Sequence, residues 1–172
     1  TGILLFMFMG LLAWNVENMC FNVFMYNSIY ADATQEAASS FEAMSAVNVM
    51  VACSAVIAVL TTFIMGNLSD KFRNRRLFIS IGYIAWGIVT GLFGFITKDN
   101  ISSLTGITDE VNLLLASVWA VIVMDCIMTA MGSTSNDSAF NAWVTDITTP
   151  AVRPTVETVL AVLPLVATVV VL

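Results

Sequence analysis

The sequence contains no histidine. That removes the side chain most often used as a general base and metal ligand near neutral pH. Charge is scarce as well: only 10% of residues are Asp, Glu, Lys or Arg, against roughly 25% in an ordinary soluble domain. Twelve are acids and six are bases, too few and too scattered to make a basic surface for nucleic acid. Cys20, Cys53 and Cys126 lie far apart in apolar stretches. They show neither metal-ligand spacing nor a disulfide logic and read as small buried hydrophobes. No nucleophile–base pair stands out, so an enzyme is not expected and no cofactor is called for. The opening Thr1-Gly2-Ile3 offers neither a basic n-region nor a small-residue cleavage site and does not read as a signal peptide.

What the sequence has is apolar surface. Hydrophobic residues make up 59% of it and mean hydropathy is +0.91. A soluble chain of this size could not clothe itself in polar groups with that balance, so lipid is the solvent for most of it. One membrane crossing needs about 20 mostly apolar residues. Such stretches run over about 3–30, 41–66, 76–97 and 111–144, the last longer than one crossing requires, and a fifth covers 156–172. The fifth is still apolar at Leu172, so residues 1–172 are expected to be the N-terminal transmembrane bundle of a longer protein. The expected fold class is an all-α polytopic membrane protein.

The bases orient it. Lys71, Arg73, Arg75 and Arg76 fall between the second and third stretches, and positive loops stay in the cytoplasm. Asp32, Glu36, Glu42, Asp99, Asp109 and Glu110 then lie outside, Arg153 lies inside, and the N-terminus is cytoplasmic. An integral, multi-pass protein of the plasma membrane is expected, in contact with membrane lipid.

Ionisable groups within a membrane cost at least about 2.5–3.5 kcal/mol each near its centre, so they mark pathways. Glu17, Asp125 and Asp137 qualify. In the first span Asn15, Asn18, Asn22 and Tyr26 share a helical face. Glu17 points away from it, so either the helix is distorted there or Glu17 serves another surface. The fourth span is interrupted by Gly132-Ser133-Thr134-Ser135-Asn136-Asp137-Ser138, expected to be a polar bend facing a central cavity. Asp137 and Asn141 share a face at i, i+4, with Asn136 and Trp143 as a neighbouring donor and stacking surface. Such groups suit a polyhydroxylated ligand, and they also occur in tight polar helix packing. Gly87 and Gly91, with Gly94 beyond, have the spacing for close helix packing within the bundle.

The run Gly66-Asn67-Leu68-Ser69-Asp70-Lys71-Phe72-Arg73-Asn74-Arg75-Arg76 resembles the signature loop between helices two and three of the major facilitator transporters. Gly66, Leu68, Ser69, Asp70, Lys71, Arg75 and Arg76 match. The glycine expected a few residues after the aspartate is absent, and Arg73-Asn74 fill its place. The resemblance implies a major facilitator-type helix bundle, with about five helices of its N-terminal half present. It implies for Asp70 the role of a latch between the two halves, broken as the transporter rocks.

Scattered residues across the chain resemble the glycoside–pentoside–hexuronide cation symporters, the melibiose-permease branch. They are Glu17 in its Trp14–Met19 context ahead of Phe24-Met25-Tyr26, the run Asp137 to Trp143, and the link Thr148-Thr149-Pro150-Ala151-Val152-Arg153. The resemblance implies that Glu17 and Asp137 bind sugar, and the expected substrate contacts are Glu17, Asn18, Asp137, Asn141 and Trp143. Ala58 and Thr62 stand where sodium-coupled members carry carboxylates. Asn141 replaces the stacking tryptophan, and the helix-five arginine is missing near Val162. A proton is therefore the better coupling cation than sodium, with Glu17, Asp137 and Asp125 as candidates to carry it. The expected function is symport of a sugar or sugar-like solute, performed together with the remaining half of the transporter. The alternatives are a carrier of amphipathic substrates (lipid or drug) and a non-transporting membrane sensor.

Overall fold

The computed structural model describes residues 2–72 and 74–171; Arg73, one base of the signature loop, lies outside them. Among the described residues there are helices and no strands. Helix α1 (Gly2–Phe24) continues into a π-helical turn, Met25–Ile29. A short α2 (Gln35–Ser40) precedes α3 (Ala43–Phe72), which is span two. Span three is α4 (Arg75–Leu92), closed by a 3-10 turn at Phe93–Phe95. After α5 (Lys98–Thr105) comes span four, built from α6 (Glu110–Gly132), a π-helical section Ser133–Ser138 and α7 (Ala139–Ile147). Span five is α8 (Arg153–Val171). All five spans are long and apolar enough to cross a membrane.

Local chemistry sets several of these boundaries. The side chains of Thr34, Thr97 and Asp109 accept hydrogen bonds from the N–H groups of Ala37, Asn100 and Asn112, satisfying amides that a helix start leaves unpaired. Gly106, at φ 72°, ends α5 in the left-handed conformation that glycine adopts without strain. Span two runs six residues past Gly66, where hydropathy had placed its end. Asn67 and Ser69 bond back to the carbonyls of Phe63 and Gly66, so these polar residues continue the helix after the apolar run stops. Hydropathy locates the membrane boundary and not the helix end.

Span four packs against spans two and three to a similar extent, and span one packs mainly against span five, so that one with five and two with four are paired crosswise. That exchange arises when the first helix of each of two repeats packs against the second helix of the other. No such repeat is visible in the sequence. The apolar core lies where Met25, Ile29, Met50, Trp86, Val118 and Val121 meet, while Val59, Phe63, Ile84 and Val169 face outward, as lipid contact requires.

Two expectations are corrected here. Gly87, Gly91 and Gly94 have open space where a Cβ would stand. The close approach in span three is made instead by Gly82, whose Cβ would fall 2.7 Å from that of Ser135. Nor does most of the polar section of span four line a cavity: it packs against α3 and α4, and Ser133, Ser135, Asn136 and Ser138 are buried, while Thr134 borders an apolar groove with Met65, Phe78 and Ile81. The hydroxyls of Thr134, Ser135 and Ser138 donate to carbonyls of their own helix. Small self-satisfied hydroxyls can enter a helix–helix contact at little cost.

Candidate functional site

A regular α1 puts Trp14, Asn18, Phe21 and Asn22 on one face. Span two contributes the small side chains Ser54, Ala55 and Ala58 below Met50, and span four contributes Asp125 and Thr129 one turn apart. These residues enclose a cavity of about 200 Å³. Asn18 donates Nδ2 to Trp14 O at 2.8 Å, which leaves its side-chain oxygen for the cavity. Trp14 is seated over Gly132, where a Cβ would meet its ring at 2.6 Å, and lies edge-on to Trp86 with ring centroids 5.8 Å apart. Asp125 is only 5% exposed, and its Oδ2 is hydrogen-bonded to Ser54 Oγ.

On the other flank of span one a second cavity, about 300 Å³, is lined by Asn15, Asn18, Met19, Asn22, Thr168 and Val171. Thr168 Oγ1 lies 3.2 Å from Asn15 Oδ1 and 2.9 Å from Pro164 O on its own helix. Asn18 and Asn22 are walls of both cavities, so the asparagine stripe faces spans two, four and five together.

Glu17 is elsewhere. Its Oε2 accepts from Trp86 Nε1 at 2.7 Å, and its Oε1 lies 2.5 Å from Thr90 Oγ1. It lines a groove of about 390 Å³ between spans one and three with Phe6, Tyr83 and Trp86. The helix is regular through this stretch, so Glu17 serves a different surface from the asparagines and no distortion is involved.

The remaining residues expected at the site are dispersed. Asp137 is partly buried within the π-helical section, and Asn136 beside it accepts from Tyr83 OH at 2.8 Å. Ser133 Oγ, one turn earlier, is buried and without a hydrogen-bond partner among the described residues. Asn141 is exposed. Trp143 packs edge-on to Phe140 and borders a separate groove with Phe6, Arg76 and Ile79. The expected substrate contact Asn18 and the proton candidate Asp125 share one cavity; Glu17 and Trp143 line two other grooves. Sequence reasoning missed Ser54 and Thr129 as cavity walls, and Trp86 and Thr90 as the partners of Glu17.

At one end of the bundle Arg75 holds the signature loop. Its guanidinium pairs with Asp70 at 2.7 Å, reaches Ser69 Oγ at 3.3 Å, and also pairs with Asp146 at the end of span four. Lys71 and Arg76 are exposed, and Gly66 has open space around it inside α3. Asp70 thus finds its partner within this bundle.

A family model described as Major Facilitator Superfamily matches residues 3–170. The chain belongs to that superfamily. No curated protein and no solved structure matches it. Major facilitators are membrane transporters whose halves contain nested three-helix repeats, with substrate bound near the midplane. The exchanged pairing of spans one with five and two with four follows that plan, and the shared asparagine wall lies on span one.

Proposed function

We propose that this major facilitator is a secondary active transporter that couples a sugar or sugar-like solute to a cation, in the manner of the melibiose-permease branch. One observation carries the reading: the cavity between spans one, two and four joins a buried carboxylate, two amides, two hydroxyls and an indole. Few precisely placed polar groups on apolar walls are what a small-solute site needs. Carboxylate and amides suit a ligand rich in hydroxyls, and Trp14 offers a ring face. The base-rich end around Arg75 is assigned to the cytoplasm of a plasma-membrane protein, with the N-terminus on that side, because positive ends are retained there.

The test is accumulation of radiolabelled mono- and disaccharides by proteoliposomes holding the full chain, under an imposed pH or sodium gradient. Accumulation under one of these gradients, weakened by Asn18→Ala, is the expected result. If no sugar accumulates under either gradient, sugar symport is the wrong assignment. Glu17→Gln and Asp137→Asn, run in the same assay, decide whether those acids reach the solute.

A further inference from the structure

Asp125 sits in the middle of span four, almost wholly buried, and the hydrogens around it can be counted. Ser54 Oγ is hydrogen-bonded to Asp125 Oδ2 and is also 3.0 Å from Met50 O, one turn back on its own helix. The carbonyl has no hydrogen to give, and a serine hydroxyl has one. Two contacts therefore share a single hydrogen if Asp125 is a carboxylate. When Asp125 carries a proton the count closes: the acid donates to Ser54 Oγ, and Ser54 donates to Met50 O.

Among the described residues no fixed cation offers another answer. Lys71, Arg75, Arg76, Lys98 and Arg153 all lie at the ends of spans or in short connecting elements. The titratable groups near Asp125 are Cys53 on span two, Cys126 on span four and Glu17 on span one, and none is a base. In span three the mid-span titratable group, Tyr83, is turned to Asn136. Glu17 differs, because the Trp86 N–H can supply a hydrogen to it even when it is charged. A carboxylate at membrane depth without donor or counter-charge must take its compensation from outside the bundle.

We propose that Asp125 is the proton-binding carboxyl of this transporter and that Ser54 is its positioning residue on span two. On release, the Asp125 O–H bond breaks, the electron pair stays on the carboxylate and the proton passes to water in the cavity. The Ser54 hydroxyl then turns from Met50 O to Asp125 Oδ2. Proton return reverses both movements. Because Asn18, Asn22 and Thr129 wall the same cavity, a solute held there sits beside the proton. The inference rests on the symport reading for its use, but the hydrogen count does not depend on it.

The test uses no solute, so failure of sugar transport leaves it intact. Infrared difference spectra of the full chain in lipid nanodiscs are recorded across a pH step at fixed sodium, then across a sodium-for-choline exchange at fixed pH. The expected result is a carboxylic-acid C=O band that follows pH, is lost in Asp125→Asn and persists in Glu17→Gln. In Ser54→Ala the band should move to higher frequency, because the acid has lost its acceptor; this variant keeps the acid and serves if Asp125→Asn does not fold. A band that survives in Asp125→Asn, that is missing from the wild type, or that answers to sodium and not to pH overturns the proposal. An unmoved band in Ser54→Ala removes Ser54 from it.

Discussion

Glu17 and Asp125 look alike in the sequence, each an acid in the middle of an apolar helix, and the bundle treats them differently. Glu17 is clasped by an indole N–H and lies by a threonine hydroxyl, both on span three, and it faces away from the asparagine wall. Asp125 has only a shared serine hydroxyl, and it faces a cavity. A carboxylate with a dedicated donor can remain charged as a strut between helices. One without a donor has to exchange something with its surroundings. On the proposal made above, the donors around an acid separate a structural carboxylate from a working one better than its depth in the membrane does.

Substituting the two acids should separate them most widely. Asp125→Asn is expected to lower gradient-driven uptake on the order of 100-fold, equivalent to about 2.7 kcal/mol. Glu17→Gln keeps an acceptor for Trp86 and should stay within about threefold. Labelled-solute uptake normalised to protein in the membrane measures both, and equal losses would erase the distinction.

Removing the donors comes next. Trp86→Phe leaves Glu17 Oε2 without its N–H and should destabilise the bundle by about 2 kcal/mol, whereas Ser54→Ala should cost about 1 kcal/mol. Thermal unfolding in detergent compares them; a larger loss from Ser54→Ala would reverse their roles.

The packing beneath the Glu17 groove gives a smaller contrast. Gly82→Ala forces a Cβ against Ser135 and should cost about 1–2 kcal/mol. Gly87→Ala, into open space at the groove wall, should change stability by less than about 0.5 kcal/mol. The smallest effect is expected far from both acids, where Glu110 accepts from Thr34 N at 2.8 Å. Glu110→Gln keeps an acceptor there and should change stability by less than about 0.5 kcal/mol, read from thermal unfolding. A larger loss would mean that the outer caps support the cavity.

Much of the fold was legible because it follows from the solvent. Five apolar runs, their acidic and basic ends and the asparagine face of span one all arise from local pattern, and all are present in the structure. The signature loop was legible as a string of residues, while its geometry was not. Arg75 and Asp146 are 71 residues apart, Trp86 and Glu17 are 69, and Ser54 and Asp125 are 71. Each pair is made by packing between spans, which no local period reports. The polar run of span four misled because serines that bond to their own helix look, in sequence, like serines lining a cavity. The glycines of span three misled likewise: the spacing at Gly87 and Gly91 is right for contact, but the helix presents Gly82 to its neighbour.

The length of span four has a mechanical consequence. Its 38 residues would extend about 57 Å as helix, against a hydrocarbon core of about 30 Å. The end of the span nearest Arg75 therefore overhangs the π-helical section Ser133–Ser138, with Asp146 near its tip and Phe140 and Val144 packed against Met7 and Leu160. From Asn136 to Asp146 the overhang is about 15 Å long, so a tilt of about 10° carries the tip about 2–3 Å. That travel is comparable to the 2.7 Å separation of Arg75 and Asp70. A tilt of that size would change how Arg75 is shared between Asp70 and Asp146, both of which it holds here.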